Sequence, residues 1–192
     1  MYKLRKMTMP VDDSTPQWFA MRVTYGRELM AQRLLDDAGI ESFIPMHYVI
    51  EKVRNKSRRM LKPAIHNLLF IHAAKGDVQR FKARLPYLQY MTFRENGRNV
   101  PIVVKDKEMS QFIDVTQNSG LNCVYFKPEE LNLARGARVR IHGGPLDGKE
   151  GIFIKVKGRR SKSVVLAISN VIAVAFAQVS PDYLEVIDDA QH

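Results

Sequence analysis

The period of the apolar residues changes part-way along the chain, and this change constrains the fold more than any single motif. Before residue 117 extended runs alternate with helical spacings, whereas after residue 130 short β-rich runs follow one another with almost no helical spacing. Residues 117–130 lose this periodicity and are rich in turn formers. We therefore predict a first domain over residues 15–116, a linker over 117–130 and a second domain over 131–188.

The first domain is predicted to contain strands and helices in the order βαββαβα. Predicted strands cover residues 18–25, 40–53, 68–72 and 90–94, and predicted helices cover residues 27–38, about 78–85 and a segment that begins at Asp106. The strongly basic stretch 53–62 is predicted to be a charged loop after the second strand. This order indicates an α+β fold, an α/β sandwich whose helices pack against a mixed or antiparallel sheet.

The second domain is predicted to be a small five-stranded β-barrel. Its five β-rich runs read VRI, IFIKV, VVLAI, VIAVAF and YLEVI, and turn residues separate them. Closing such short strands into a barrel hides edges that would otherwise pair with other chains. Gly143 and Gly144 are expected to turn the chain with positive φ, and Gly151 is expected where backbone passes closely or bends.

Composition narrows the class of protein. The formal net charge of +10 and the pI near 9.8 favour contact with phosphate backbones or with an acidic protein surface. The single cysteine, Cys123, can form neither an internal disulfide nor a thiolate metal cage. No apolar run approaches the length of a signal peptide or a membrane helix, so we expect a cytoplasmic protein without a membrane contact.

The sequence contains no candidate catalytic or metal-binding site. His66 and His72 are too far apart along a predicted strand to bind one metal, and the other three histidines lack cysteine or carboxylate neighbours at ligand spacing. No P-loop or dinucleotide fingerprint is present. We therefore expect no enzyme activity, no metal and no cofactor.

Both domains carry motifs of a known family. The first, with WFAMRVTYG before a helix and KPAIHNLLFIH further on, resembles the amino-terminal NGN domain of the NusG family. The second, from Leu133, reads LARGARVRIHGGPLDGKEGIFIKV and is similar to the KOW motif. The resemblance covers nearly the whole chain. It implies a non-enzymatic transcription elongation factor that binds RNA polymerase and changes its response to pause and termination signals. The sequence leaves the oligomeric state open, and a monomer is the expectation.

The resemblance implies one contact surface on the first domain, and the clustering of charge predicts a second. An apolar depression would bind the clamp helices of RNA polymerase through Arg22, Ile65, Leu68, Tyr90 and Phe93. A basic cluster could contact DNA or nascent RNA of the elongation complex, because clustered cations gain affinity by releasing counterions; its members are Arg54, Lys56, Arg58, Arg59 and Lys62.

Two departures from the family pattern indicate a specialised member. His66, Asn67 and Leu68 stand where the family has Pro-Gly-Tyr. In the second domain Ile168, Ser169, Asn170 and Val171 replace an Ile-Phe-Gly-Arg-like loop through which the family contacts Rho and ribosomal protein S10. Without that aromatic residue and that cation, Rho binding is not expected, and S10 stays a candidate partner. We therefore interpret the chain as an operon-specific antiterminator similar to RfaH and to the UpxY-like factors of capsular polysaccharide operons.

A different class of protein is also compatible with the high pI. KOW-type barrels occur in ribosomal proteins, so a ribosome-associated or general RNA-binding protein is the alternative. The first domain argues against that alternative, and recovery with core RNA polymerase rather than with ribosomal subunits would separate the two.

Overall fold

The computed structural model describes residues 14–54, 56–118, 123–126, 130, 135–156, 162–168, 171–177 and 181–187. The helices are α1 (Glu28–Asp36), α2 (Lys75–Arg84) and α3 (Asp106–Asn118). The strands of the first half are β1 (Gln17–Val23), β2 (Glu41–Phe43), β3 (Met46–Val53), β4 (Lys56–Pro63), β5 (Leu68–Ala73), β6 (Leu88–Tyr90), β7 (Thr92–Glu95), β8 (Arg98–Pro101) and β9 (Val103–Val104). No helix in these ranges has the length and apolar character needed to cross a membrane.

Strand β1 lies at the centre of the first sheet. The strand order is β2-β5-β1-β6, β9 pairs with the first part of β1, and all pairings are antiparallel. Successive side chains of β1 point to opposite faces because a strand has a period of two. Phe19 and Met21 face the core shared with α1 and α2, whereas Trp18 and Ala20 face the core that contains α3 residues such as Phe112.

The basic stretch predicted as a loop is a strand instead. Strand β4 pairs with β3 along its whole length, from Met46 opposite Pro63 to Val53 opposite Lys56. These two strands form a sheet of their own, and residues 56–61 of β4 are exposed on both of its faces. The prediction was wrong because a hairpin without a buried face needs no apolar alternation, which is the signal that sequence reasoning uses for strands.

The single strand predicted over residues 90–94 is divided in two. Met91 separates β6 from β7, and its backbone joins other parts of the domain: its N–H donates to the carbonyl of Ala20 at 2.9 Å and its carbonyl accepts from Ile102 at 2.9 Å. Strands β7 and β8 then form a second separate hairpin around the Asn96-Gly97 turn. The three helices lie where the apolar periodicity predicted them, within a few residues at each end.

The second half forms one antiparallel sheet. Its strands are β10 (Val124–Phe126), β11 (Ala137–Ile141), β12 (Glu150–Lys155), β13 (Lys162–Ile168), β14 (Ile172–Ala177) and β15 (Leu184–Val186). The order is β10-β14-β13-β12-β11-β15, so the five predicted runs are adjacent strands and a sixth is added at one edge. That sixth strand, β10, comes from the segment predicted to be a linker.

Glycines in the second sheet have the roles that the sequence predicted. Gly143 and Gly144 have φ of 79° and 70°, a backbone conformation that strongly favours glycine. A Cβ on Gly151 would lie 2.6 Å from Cγ1 of Val164 and 2.8 Å from the carbonyl oxygen of Val165. Any side chain at position 151 would therefore push β12 away from β13.

Helix α3 joins the two halves. Its apolar side packs on the first sheet, and its polar side contacts the start of β12: the Gln111 side chain donates to the carbonyl of Glu150 at 2.5 Å. Lys149 forms an ion pair with Asp114 of the same helix. The segment after α3 adds a contact, because the Tyr125 hydroxyl donates to the carbonyl of Met46 at 3.4 Å.

Candidate docking surface and basic hairpin

Three of the five residues predicted to bind polymerase lie on one side of the first sheet. Arg22 and Leu68 are register partners on β1 and β5, so their side chains share the face that α3 covers further along. Leu68 is buried in that core, Ile65 is half-buried against the same core, and Arg22 is exposed. These three residues therefore form an exposed cation beside a mainly buried apolar base.

Tyr90 lies on the opposite face of the sheet. Its register partner is Met21, and it packs with Phe19 at a ring-centroid distance of 5.5 Å in the core of α1 and α2. The ammonium of Lys82 lies 4.3 Å from the centre of its ring. Phe93 belongs to the separate β7–β8 hairpin and is 46% exposed. The five predicted residues thus do not form a single surface.

The chain before Leu68 is held in place by a cluster that sequence reasoning missed. Asn67 has φ of 65° and occupies the position of the glycine in the family's Pro-Gly-Tyr, which Asn tolerates better than most residues. The Asn67 backbone N–H donates to the buried Glu28 carboxylate, and the Asn67 side chain accepts from Gly26 N–H at 3.3 Å. The carbonyl of Asn67 accepts from Val23 at 2.9 Å. A glutamate in the first turn of a predicted helix gave no sign of this burial.

The five predicted nucleic-acid residues all lie on the β3–β4 hairpin. Arg54 is at the turn, and the register places Lys56, Arg58 and Lys62 on one face and Arg59 on the other. Lys62 forms an ion pair with Glu51. The hairpin therefore brings the predicted cations together, but it divides them between two faces.

The face with Arg59 also carries residues that the sequence did not single out. Register places Tyr48, Ile50 and Leu61 beside Arg59, and all three side chains are exposed. At the foot of this face a cavity of about 460 Å³ opens toward the end of α3 and the start of β10. The exposed tyrosine in a strand of mixed polarity is the signal that could have identified this face.

The loop predicted to bind a partner in the second half begins and ends with buried residues. Ile168 and Val171 are both in the apolar core, and the Val171 N–H donates to the carbonyl of Ile168 at 2.7 Å. Ser169 and Asn170 lie outside the described residues. Of the four predicted residues, the two that are described contribute to the core.

A group of charged side chains joins β11, β12 and β15. Arg140 donates to Glu150 at 2.8 Å and also lies 3.6 Å from Glu185. The hydrogen bond from Arg140 holds the pKa of the Glu150 carboxyl below its usual value. Over the parts of the chain that the structure describes, no group of three or more His, Cys, Asp or Glu is arranged to hold a metal ion.

Comparison with known proteins places the chain in a family. A model of the family described as "Transcription termination factor nusG" matches residues 16–113, just over half of the 192 residues. A solved structure titled "Domain interaction in Thermotoga maritima NusG" is 18% identical, with a TM-score of 0.44, and the match covers 92% of this chain and 100% of that one. No curated protein sequence matches the chain. Proteins of the matched family are non-enzymatic and bind RNA polymerase. The chain therefore belongs to the NusG family of transcription elongation and termination factors.

Proposed function

We propose that this chain docks on the clamp helices of RNA polymerase and acts as an operon-specific antiterminator. The observation that carries the proposal is the position of the family match. Residues 16–113 contain all of the first sheet, the basic hairpin and every residue predicted to bind polymerase. The match covers the first domain. This domain is the part of the chain that disfavours the alternative, a ribosome-associated or general RNA-binding protein.

The proposed docking surface consists of Arg22, Ile65 and Leu68, and Phe93 on the separate β7–β8 hairpin is proposed as a further contact. An exposed guanidinium beside an apolar base suits a helical partner that presents apolar and acidic side chains, because arginine and aromatic residues supply much of the energy of such contacts. Tyr90 supports this surface from the other face of the sheet and does not contact the partner in this proposal.

The second half is proposed to have the small barrel fold of KOW domains and to recruit a further partner. Burial of Ile168 and Val171 supports the specialised assignment, because the ends of the loop offer no apolar side chain to Rho. Ribosomal protein S10 remains the proposed partner for this half. The proposed contact is formed by the loop residues between Ile168 and Val171. The cations of the β3–β4 hairpin are proposed to contact DNA or nascent RNA of the same elongation complex.

Docking can be tested with a double variant, Arg22→Glu with Phe93→Ala, because both side chains are exposed and their loss should leave the fold intact. We expect binding to core RNA polymerase to weaken by about tenfold or more, as measured by biolayer interferometry. Arg80→Glu is the matched control, since it reverses an exposed charge on α2, on the other side of the sheet. Unchanged affinity in the double variant, with circular dichroism like that of the original chain, would refute the proposed surface.

Antitermination is tested by transcription in vitro through a terminator with and without the protein. Increased readthrough is the expected result, and increased termination would assign the chain to the general factors of the family. Sedimentation with ribosomal subunits but not with polymerase would favour the ribosome-associated alternative.

A further inference from the structure

The end of β1 and the beginning of β5 meet at one corner of the first sheet, next to the proposed docking surface. Arg22 and Leu68 are the last register partners of the two strands. Beyond them the Val23 N–H donates to the Asn67 carbonyl at 2.9 Å. The turn that leads into α1 and the loop that leads into β5 therefore lie side by side.

The backbone of both segments is unusual at this corner. Tyr25 has φ of 65°, Gly26 has φ of 63° and Asn67 has φ of 65°, so three residues of two adjacent segments are left-handed. This conformation costs energy for any residue with a side chain, and the cost is higher for tyrosine than for asparagine. Such a corner persists only where the surrounding contacts determine it, and backbone strain of this kind is concentrated at functional sites.

Glu28 supplies the contact that joins the two segments. It lies in the first turn of α1 and is only 2% exposed, which is rare for a glutamate unless it is paired. Its carboxylate accepts the backbone N–H of Asn67, 39 positions later in the chain. In return the Asn67 side chain accepts the backbone N–H of Gly26 at 3.3 Å. We call Gly26, Glu28 and Asn67 the corner cluster.

The packing of α1 and β5 does not require the corner cluster. Ala31 and Leu35 are fully buried in the core of the first sheet and hold the helix in place. Leu69 and Ile71 are fully buried in the same core and hold the strand. A buried polar contact beside such a core adds a defined position rather than apolar area.

The part of the chain that the corner cluster does fix is the loop of residues 64–67. This loop lies between β4 and β5, belongs to no helix or strand, and carries the half-buried Ile65 of the docking surface. At its start the Ala64 N–H donates to the Pro45 carbonyl at 2.7 Å, and at its end Asn67 is held by the corner cluster. The position of Ile65 on the docking surface therefore depends on these two attachments.

We propose that Glu28 is a positioning residue for polymerase docking. Through the backbone of Asn67 it fixes the loop that carries Ile65 before the partner arrives. The inference rests on the proposed function, because it concerns the surface assigned there to the clamp helices. A preformed loop loses little conformational freedom on association, so more of the contact energy appears as affinity. The Asn67 side chain adds a bond that a glycine at this position could not form.

The test measures the affinity of Glu28 variants for core RNA polymerase by biolayer interferometry. Glu28→Ala removes the acceptor and should weaken binding about tenfold, the effect of one charge-assisted hydrogen bond. Glu28→Gln keeps an acceptor oxygen at the same reach and should bind within about threefold of the original chain. Glu28→Asp keeps the charge but is too short to reach Asn67, so it should bind as weakly as the alanine variant. The order of the three affinities separates the hydrogen bond from the charge.

Two controls on the same helix separate positioning from stability. Asp36→Ala removes an exposed carboxylate and should leave the affinity unchanged. Leu35→Ala truncates a fully buried side chain and should lower the free energy of unfolding, yet the affinity of the folded protein should stay within about twofold. If Leu35→Ala weakened binding as much as Glu28→Ala does, Glu28 would act through stability alone and the inference would fail.

A double-mutant cycle gives a measurement that a purely structural role would not change. Ile65→Ala should weaken polymerase binding about threefold in the original chain but should have little further effect in Glu28→Ala, because the loop is already misplaced there. In Leu35→Ala the same substitution should keep its full effect. Additive losses in both cycles would contradict the positioning role.

Asn67→Gly tests the second bond of the corner cluster and does not depend on the folding of Glu28→Ala. Glycine adopts the positive φ without strain and keeps the N–H that Glu28 accepts, so the fold should persist. Only the bond to Gly26 is lost, and polymerase binding should weaken about threefold. Faster amide hydrogen exchange confined to residues 63–68 should accompany this loss.

Failure of this inference and failure of the proposed function give different results. Unchanged affinity in folded Glu28→Ala or, where that variant does not fold, in Asn67→Gly would overturn the inference and leave docking intact. An original chain that does not bind core RNA polymerase would remove the proposed function itself.

Discussion

The two halves of the protein each contain a long antiparallel hairpin, and the two hairpins are stabilised in opposite ways. The β3–β4 hairpin stands alone as a two-stranded sheet and exposes apolar and basic side chains. The β11–β12 hairpin is part of a six-stranded sheet, with β15 on one side and β13 on the other. The same local element is a free arm in one half and part of a core in the other.

The backbone of the two hairpins shows the same contrast. In the second half the positive φ angles near the turn belong to glycines, and Gly151 lets β12 approach β13. In the first half Arg54 takes the positive φ. A hairpin that contributes to a core is constrained by packing, whereas a free hairpin can keep a costly residue if its surface needs that residue.

The largest expected effect is that of Gly151→Ala. The added Cβ would lie 2.8 Å from a backbone oxygen that cannot rotate away, so β12 and β13 must separate. We expect the free energy of unfolding to fall by about 3 kcal/mol in urea denaturation. Gly76→Ala in α2 is the control, because nothing lies within 4 Å of a Cβ there. Equal stability of the two variants would refute the packing argument.

Smaller effects are expected at the two turns, where a substitution should lower the free energy of unfolding in the second half but not in the first. Gly143→Ala puts a side chain on a residue with φ of 79° and should lower the free energy of unfolding by about 1 kcal/mol. Arg54→Gly relieves the strain at φ of 48° and should leave stability unchanged or raise it by less than about 1 kcal/mol. Thermal unfolding of both variants measures these two changes in stability. A marked loss of stability in Arg54→Gly would show that the arginine stabilises the fold.

A pH dependence of the free energy of unfolding is expected from Glu150 in the second half. Because Arg140 lowers the pKa of Glu150 in the folded chain, the contribution of Glu150 to stability is present at neutral pH. It is lost as the pH falls below the ordinary carboxyl value of 4.5 and through the lowered pKa. Urea denaturation of Glu150→Gln should therefore show a weaker loss of stability in acid than the original chain. Glu95→Gln, on the β7–β8 hairpin, is the control, and parallel acid profiles for all three proteins would contradict the prediction.

The smallest effect is expected on the free hairpin. Ile50→Ser removes an apolar side chain that is 77% exposed, so the free energy of unfolding should change by no more than about 0.5 kcal/mol. Calorimetry provides the measurement. A loss above about 1 kcal/mol would mean that the hairpin is covered in solution, and the contrast between the two hairpins would fail.

Sequence reasoning succeeded where one face of an element is buried. The apolar spacing of α3 and the β-rich runs of the second half located these elements, because burial imposes a period on the residues that face the core. It failed for β4, since both faces of that strand are exposed. The resemblance grouped Tyr90 with Leu68, and the strand register places the two side chains on opposite faces of the sheet.

The sequence by itself determined the positions of the helices, the glycine-dependent turns and the family to which the chain belongs. These properties depend on local periodicity, on backbone conformations specific to glycine and on motifs of adjacent residues. Only the tertiary structure decided which residues share a surface, that Glu28 is buried against Asn67, and that Tyr48 stacks with Arg59 beside a cavity. Each of these depends on the pairing of strands or segments distant in sequence, and a shift of one residue in strand pairing would reverse every side chain of a strand.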